Sequence, residues 1–496
     1  MSELSREIER HVLAEVWTSN EVHRNLLHLC DDIGHRFAGS ASEHAAAEFL
    51  RQKMAEYGLR DVHLEQFPMY SWERGESDVK VLSPVERPIA AVAMPYSPSR
   101  DVEGELIDLG EGREPDFARL GAAIHGNVVV ADADPSARPG ERRSHRTDKY
   151  RRAAEGGAVA CLFVNRNAGQ LHATGSLYGR TPEGRTPAEH EASIPGLAIS
   201  YESGALLRRV AERGPARVRI RTTARTARSR SANVIGSVPG RDEGEVVLFG
   251  AHYDGHDAAQ AAADDAAGAL VALEVGRVLA PCARRLRRTI RIVCFGAEEV
   301  GLLGSFHHVE RHLQDQGGPV LRWAMNLDNA GNGPGGQELL IVTAGPDLVP
   351  YFQRWGKEHH YPFDVRSGLN PHTDHFPFFL RGIPSGWLTS LGDATGTGRW
   401  AASALAHTEA DTVDKISLRG LQMSAALAAR LAVTLALEEE LPARHRSHDE
   451  VRKALQEAEL SEFLEGHWGL ANRVSGSQIT SSPTWPGTWQ VLRAGP

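Results

Sequence analysis

EVVLFGAHYDGHD (245–257) is followed by AAADDAAGALVALEVGRVLA (261–280) and TIRIVCFGAEEVGLLGS (289–305). Val246 to Phe249 is an apolar run without polar alternation, the pattern of a strand covered on both faces in a parallel sheet. It stops at Gly250 and delivers His252, Asp254, His256 and Asp257 just past its end. A second run, Ile290 to Phe295, stops in the same way and delivers Glu298 and Glu299. Between them Leu270, Val271, Leu273, Glu274 and Val278 suit a helix, so the segment predicts a strand–helix–strand unit. Strands joined in this way end on one edge, and that edge is where open α/β sheets carry their sites.

The residue types at that edge have a chemistry in common. Imidazole and carboxylate are the ligands zinc accepts when no thiolate is offered, and adjacent carboxylates supply one ligand and one base. Asp264 and Asp265 open the helix, where the dipole favours negative charge. One carboxylate has two oxygens and can bridge two cations. Any single pair is equally well a helix start or a solvated loop; the recurrence at successive strand ends carries the reading. Trp323 to Leu327 is a further strand-like run and ends on Asp328, and a run from Ile383 to Leu388 precedes a Gly- and Thr-rich loop and then His407. This inventory suffices for two metals, a shared carboxylate and a general base.

The pieces GAHYD (250–254), ADDAAG (263–268), FGAEEVGLLGS (295–305), MNLDNAG (325–331), DHFPF (374–378) and HTEADT (407–412) resemble, in order, the co-catalytic di-zinc exopeptidase family. That family includes bacterial leucyl aminopeptidases, the glutamate carboxypeptidases and the glutaminyl cyclases. The resemblance implies two zinc ions per chain, with cobalt or manganese as substitutes. It makes His252 and Asp328 ligands of one ion, Glu299 and His407 ligands of the other, Asp264 the bridge and Glu298 the general base. Asp254 then supports His252 from behind, and Asp374 is a supporting carboxylate of the same kind. It also implies an α/β fold: a three-layer, mixed but mainly parallel sheet with helices on both faces.

There are departures. Ala267 stands where relatives have Ser, and Ala406 stands where some carry an oxyanion-donating Tyr, so the metal, His372 or His375 is a candidate for that role. His256, His307, His308, His359 and His360 match no family ligand and read as surface or packing histidines. For substrate contact, Arg399 and Trp400, just before His407, are the candidates; Glu338, Asp393 and Arg399 are read as loop residues able to hold a free terminus.

At 496 residues the chain predicts more than one domain. Residues 1–83 read as the first part of the peptidase domain, with one or two helices over 1–33, a capping box of Ser40 and Glu43 heading a helix, and a strand over 61–70. From 84 to 231 Pro, Gly and Arg rise and short strands (127–131, 159–164, 218–220) alternate with turns, resembling a smaller, β-rich protease-associated (PA) domain inserted into the peptidase. Such an insertion would wall the cleft or serve as a passive lid; both readings stay open. The peptidase resumes at 232 and runs to 440, ending in a helix over Leu418 to Leu437, and 441–496 is an extension with a helix over Ser447 to Leu464 and Trp485 and Trp489 among turn residues.

A net charge of −9 argues against nucleic acid or an anionic membrane as partner, and the Arg-rich stretch 216–230 reads as a half-exposed strand because Arg217, Arg219 and Arg221 alternate with Val218 and Ile220. Four widely spaced cysteines suggest neither a disulfide framework nor a thiolate site. No run reads as a signal peptide or membrane span, so the default expectation is cytoplasmic, with secretion open. A homodimer contact is equally open. The expected function is zinc-dependent hydrolysis of amide bonds in small peptides by an aminopeptidase or dipeptidase. A carboxypeptidase or small-molecule amidase on the same fold is the alternative. A glutaminyl cyclase would not require the insertion, and a receptor-like scaffold would not retain every ligand position.

Overall fold

The computed structural model describes residues 3–133, 144–177, 193–314, 318–331, 338–343, 348–361, 363–390, 405–441 and 443–460. In chain order the strands are β1 (Arg60–Ser83), β2 (Arg87–Ile89), β3 (Ala91–Ala93), β4 (Arg100–Asp108), β5 (Val128–Asp132), β6 (Ala160–Val164), β7 (Gly196–Ile199), β8 (Arg217–Val238), β9 (Asp242–His252), β10 (Arg288–Phe295), β11 (Val320–Asn326), β12 (Glu338–Val342), β13 (Asp364–Ser367) and β14 (Ser385–Ser390). The helices are α1 (Glu3–Thr18), α2 (Glu21–Leu27), α3 (Ala41–Glu56), α4 (Glu114–Leu120), α5 (Arg146–Glu155), α6 (Tyr201–Ala211), α7 (Ala267–Leu279), α8 (Leu303–Gln314), α9 (Leu348–Glu358), α10 (His375–Leu380), α11 (Leu418–Leu437) and α12 (His448–Glu457).

The apolar run of β9 is explained by what covers it. Val247, Phe249 and Ala251 point into a core built with α1, α2, α3, α7, α9 and α11. Val246 and Leu248 point the other way, against Val309 of α8 and Phe378 of α10. Alternate side chains thus enter two cores, which is why neither face needs polar residues. β9 pairs in parallel with β10 and β11, and β11 in parallel with β14. β8 and β12 run antiparallel to β10 and β14, so the sheet is mixed with a parallel centre.

The insertion has its own two-sided sheet, with β4 through β7 parallel in sequence order. Val128 and Val130 of β5 pack toward Leu207 of α6, and Val129 and Ala131 toward Tyr150 and Ala153 of α5. It carries more helix than its short, turn-separated strands suggest. β1 and β8 join it to the peptidase as an antiparallel ribbon, paired from Arg60↔Ser237 to Ser83↔Arg217. β8 continues at one end onto β10 and at the other onto β4. The boundary read at 84 falls just past β1, whereas the one at 231 falls inside β8.

Several local expectations are refined. The strand read over 61–70 extends to Ser83, because β8 pairs it throughout. Ser40 Oγ accepts from Glu43 N (3.1 Å), but Glu43 Oε2 accepts from Gly39 N (2.6 Å), one residue before the position a capping box requires. Arg217, Arg219 and Arg221 are exposed beside buried Val218 and Ile220, and Arg219 grips Asp101 on β4 through two bonds of 2.8 and 2.6 Å. All four cysteines are free and buried. Contrary to the reading that no run approaches a span, α11 is long and apolar enough to cross a membrane; 89% of its most apolar window is buried inside the fold, as befits a central core helix. The helix read over Ser447 to Leu464 spans His448–Glu457, and residues 461–496, with Trp485 and Trp489, lie outside the described residues.

Candidate metal centre

His252 ends β9, and parallel pairing sets it opposite Phe295, the end of β10, while Asn326 at the end of β11 lies opposite Gly250. The three strands finish in step, and the turns beyond them hold Glu298, Glu299 and Asp328. The chain reverses sharply there: Ala297, Asn329 and His407 have φ of 56°, 60° and 63°, a left-handed conformation that residues with a Cβ seldom adopt.

Asp264, in the turn Ala262–Ala266 ahead of α7, joins the two sides. Its Oδ1 lies 3.2 Å from His252 Nε2 and its Oδ2 lies 3.2 Å from His407 Nε2. His407 Nε2 is also 3.2 Å from Glu299 Oε2. Among the described residues two triads gather donor atoms within 4.8 Å of one another: His252, Asp264 and Asp328, and His256, Glu299 and His407. Glu298 belongs to neither triad, and its Oε2 lies 4.0 Å from His252 Nε2.

The arrangement is electrostatically unbalanced without cations. Burial, aided by Asp374, Glu299 and Asp328 and opposed by His252, pushes Glu298 well above the usual carboxylate range. Burial, with Asp264 nearby, likewise raises Asp328 to about 7, and burial raises Asp374 to about 7. Burial also acts on Asp264 and Glu299, but the imidazoles outweigh it, holding Asp264 at about 2 and Glu299 well below its ordinary value. Buried carboxylates crowded in this way are the donor set a divalent cation relieves. Glu299 Oε1 and His256 Nδ1 are buried without a hydrogen-bond partner. The residues therefore fit a pair of metal ions bound by nitrogen and oxygen.

The supporting groups are mostly backbone-directed. Asp254 places its main-chain oxygen 3.1 Å from His252 Nδ1, while its carboxylate accepts the amides of Glu298 (3.0 Å) and Glu299 (3.2 Å), fixing the turn that presents both glutamates. Asp265 Oδ1 accepts the amides of Gly268 and Asn329, both at 3.0 Å, tying the head of α7 to the turn after β11. Sequence reasoning missed three further supports. Asp411 accepts the amides of Ala263 (2.6 Å) and Asp264 (3.1 Å); it lay within the quoted HTEADT motif. Fully buried Arg36 donates to four carbonyls, those of Gly34, Tyr253, Gln260 and Ala261, and no motif surrounds it. Thr174, from the insertion, offers its carbonyl 3.2 Å from His407 Nδ1 and donates its amide to His407 O at 2.9 Å.

The remaining expectations divide. His372 is exposed and stacks on His145 of the insertion at 4.6 Å; His375 is buried in α10 beside Thr373 Oγ1, and burial lowers it to about 3. Neither falls within a triad. Glu338 is not in a loop but opens β12, buried, because β14 and β13 flank that strand. Arg399, Trp400 and Asp393 lie outside the described residues. His308 faces Glu65 at 3.0 Å, His359 stacks on Trp355 at 4.2 Å, His307 lies against Phe67 and His360 is exposed, as packing or surface histidines do. His256 departs from that reading: it is 3% exposed with Nε2 3.0 Å from Glu299 Oε2, because the turn after Asp254 folds it under the edge rather than outward.

Residues 233–432 match peptidase family M28, and residues 102–207 match the PA domain. Residues 233–432 form a peptidase family M28 domain. The chain is 28% identical over 299 residues to carboxypeptidase Q of Rattus norvegicus, covering 59% of this chain and 61% of the rat protein. The match therefore spans less than two thirds of that relative's length. It is 27% identical over 405 residues to aminopeptidase YwaD of Bacillus subtilis, covering 80% of each chain. Among solved structures, BSAP, a zinc aminopeptidase from Bacillus subtilis, shares the fold with a TM-score of 0.64 at 25% identity, over 86% of this chain and 96% of that one.

Proposed function

We propose that this chain is a zinc-dependent exopeptidase that hydrolyses amide bonds of small peptides as an aminopeptidase or dipeptidase, holding two zinc ions per chain. The observation that carries the reading is Asp264, whose two oxygens each stand 3.2 Å from a different imidazole. In this reading His252, Asp264 and Asp328 hold one ion, and Asp264, Glu299 and His407 the other. Bound there, zinc would acidify a water and polarise the scissile carbonyl. Glu298, a buried carboxylate outside both triads with its Oε2 4.0 Å from His252 Nε2, takes the proton as the water attacks, later returning it to the leaving amine. Asp254 keeps Glu298 aimed by holding its amide. Asp374, fully buried, adds to the crowding of carboxylates that acts on Glu298. The PA insertion, residues 84–231, walls one side by reaching His407 through Thr174.

The broad match to an aminopeptidase supports the favoured specificity, and the likeness to carboxypeptidase Q supports carboxypeptidase action as the alternative. Elemental analysis of the purified protein, paired with free, N-blocked and C-blocked dipeptides, separates them. Two zinc equivalents with cleavage restricted to free amino termini are expected; cleavage of N-blocked peptides would transfer the enzyme to the carboxypeptidase class. Glu298→Gln should keep both metals and lose on the order of 10²-fold or more in kcat. Near-full turnover by that variant would remove Glu298 from the mechanism.

A further inference from the structure

We propose that His256 is a ligand of the second metal, giving that site Glu299, His407, His256 and the Asp264 bridge against His252, Asp328 and the same bridge at the first. The inference rests on the two-metal reading above.

Four observations converge on it. His256 Nε2, Glu299 and His407 present their donor atoms within 4.8 Å of one another, with Nε2 3.0 Å from Glu299 Oε2. The imidazole is 3% exposed; its Nε2 faces the Glu299 carboxylate and its Nδ1 has no hydrogen-bond partner. A buried imidazole carries a lone pair and an N–H, and burying either unused is costly; a cation is the partner that uses the lone pair. The ring also meets His407 edge-on, with centroids 4.5 Å apart and planes at 66°, and has Phe37 at 6.1 Å as a second neighbour.

The loop bearing His256 is fastened on two sides. Arg36 grips the carbonyls of Tyr253, Gln260 and Ala261, and the next residue, Asp257, is clamped by the guanidinium of Arg74 from β1. A residue needed only for packing would not require a loop pinned so close to its backbone on both sides. Pre-organised donors of this kind are what a tight metal site demands. Two imidazoles at one site and one at the other make the pair unequal: the second site fills first and empties last, and its richer nitrogen set selects zinc or cobalt over manganese.

The test compares wild-type protein with His256→Gln, which keeps a hydrogen-bond donor, and His256→Phe, which keeps the ring packing. Each is loaded with zinc, dialysed against a graded chelator series and assayed for retained metal, with circular dichroism verifying the fold. X-ray absorption at the zinc edge counts the imidazoles. Wild type should hold two ions, with three imidazoles shared between them, and release the second-site ion last. Folded variants should lose that ion at chelator concentrations lower by roughly 10-fold or more. Retention of two ions by either folded variant, with wild-type release and an unchanged imidazole signal, would overturn the assignment while leaving the two-metal reading intact. Wild-type protein that takes up no zinc would overturn both.

Discussion

Glu65 lies far from any ligand role, yet a single carboxylate there governs part of the response to acid. It is 4% exposed, accepts from Asn233 Nδ2 at 2.8 Å and faces His308 Nδ1 at 3.0 Å. Burial opposes its ionisation, but His308 and Asn233 outweigh that and hold it at about 2, against 4.5 for an ordinary glutamate. Because the folded value is depressed, the stabilisation is complete above the unfolded value and disappears as pH falls from about 4.5 to about 2. The difference corresponds to about 3 kcal/mol. Thermal unfolding of wild type and Glu65→Gln should therefore differ clearly at pH 7 and converge near pH 2; a gap that ignores pH would refute the pairing. His308 and His256 also show the limit of reading single residues. Both are histidines outside any family ligand position, yet His308 sits within α8 and pairs with Glu65, whereas the turn after β9 sends His256 to Glu299 in the candidate metal cluster.

At the scale of the element, Gly268 shows why a helix start can be as constrained as a ligand. A Cβ there would lie 2.4 Å from the carbonyl oxygen of Leu327 and 2.4 Å from Asp265 Oδ1. The first is backbone of a neighbouring strand end and cannot rotate away, so α7 could accept a methyl only by withdrawing from β11. Gly268→Ala should destabilise the fold by about 1–3 kcal/mol and weaken zinc retention, because Asp264 rides on the same turn; unchanged melting and metal content would show that the helix can shift freely. The elements that sequence displayed most plainly are those buried on both sides. β9 and β10 have unbroken apolar runs, and α11 begins and ends where its pattern does, with Ser417 Oγ accepting from Gly420 N at 2.9 Å. β1 was read only to Tyr70, because no residue from Glu73 to Asp78 is buried and the alternation resumes only at Val79 and Val81. The same distinction holds at the candidate centre. Residues offering donor atoms announce themselves at strand ends, whereas Arg36, Asp411 and Thr174 act on backbone groups 217, 148 and 233 residues away and leave no local pattern.

Across the whole molecule, the insertion and the peptidase meet at the loop that presents His407. Besides Thr174, His172 donates its amide to Glu409 Oε2 at 2.9 Å and sets its ring 2.5 Å from Oε1. The clasp makes the orientation of His407 depend on a segment encoded far upstream. Glu409→Ala should speed amide exchange across residues 171–177 and weaken retention of one zinc ion by up to about 10-fold, with the peptidase core's melting little changed. Exchange that stays slow would mean the insertion is anchored elsewhere. The β1–β8 ribbon has a different bearing on the peptidase. Because the chain leaves through Ser83 and returns through Arg217, which are paired neighbours, the peptidase half meets everything between them as the loop of one long hairpin. The entropy of closing such a loop grows only with the logarithm of its length, about 0.6 kcal/mol for each doubling. The insertion can therefore lengthen or shrink by whole strands while the peptidase sheet keeps nearly the same free energy of folding.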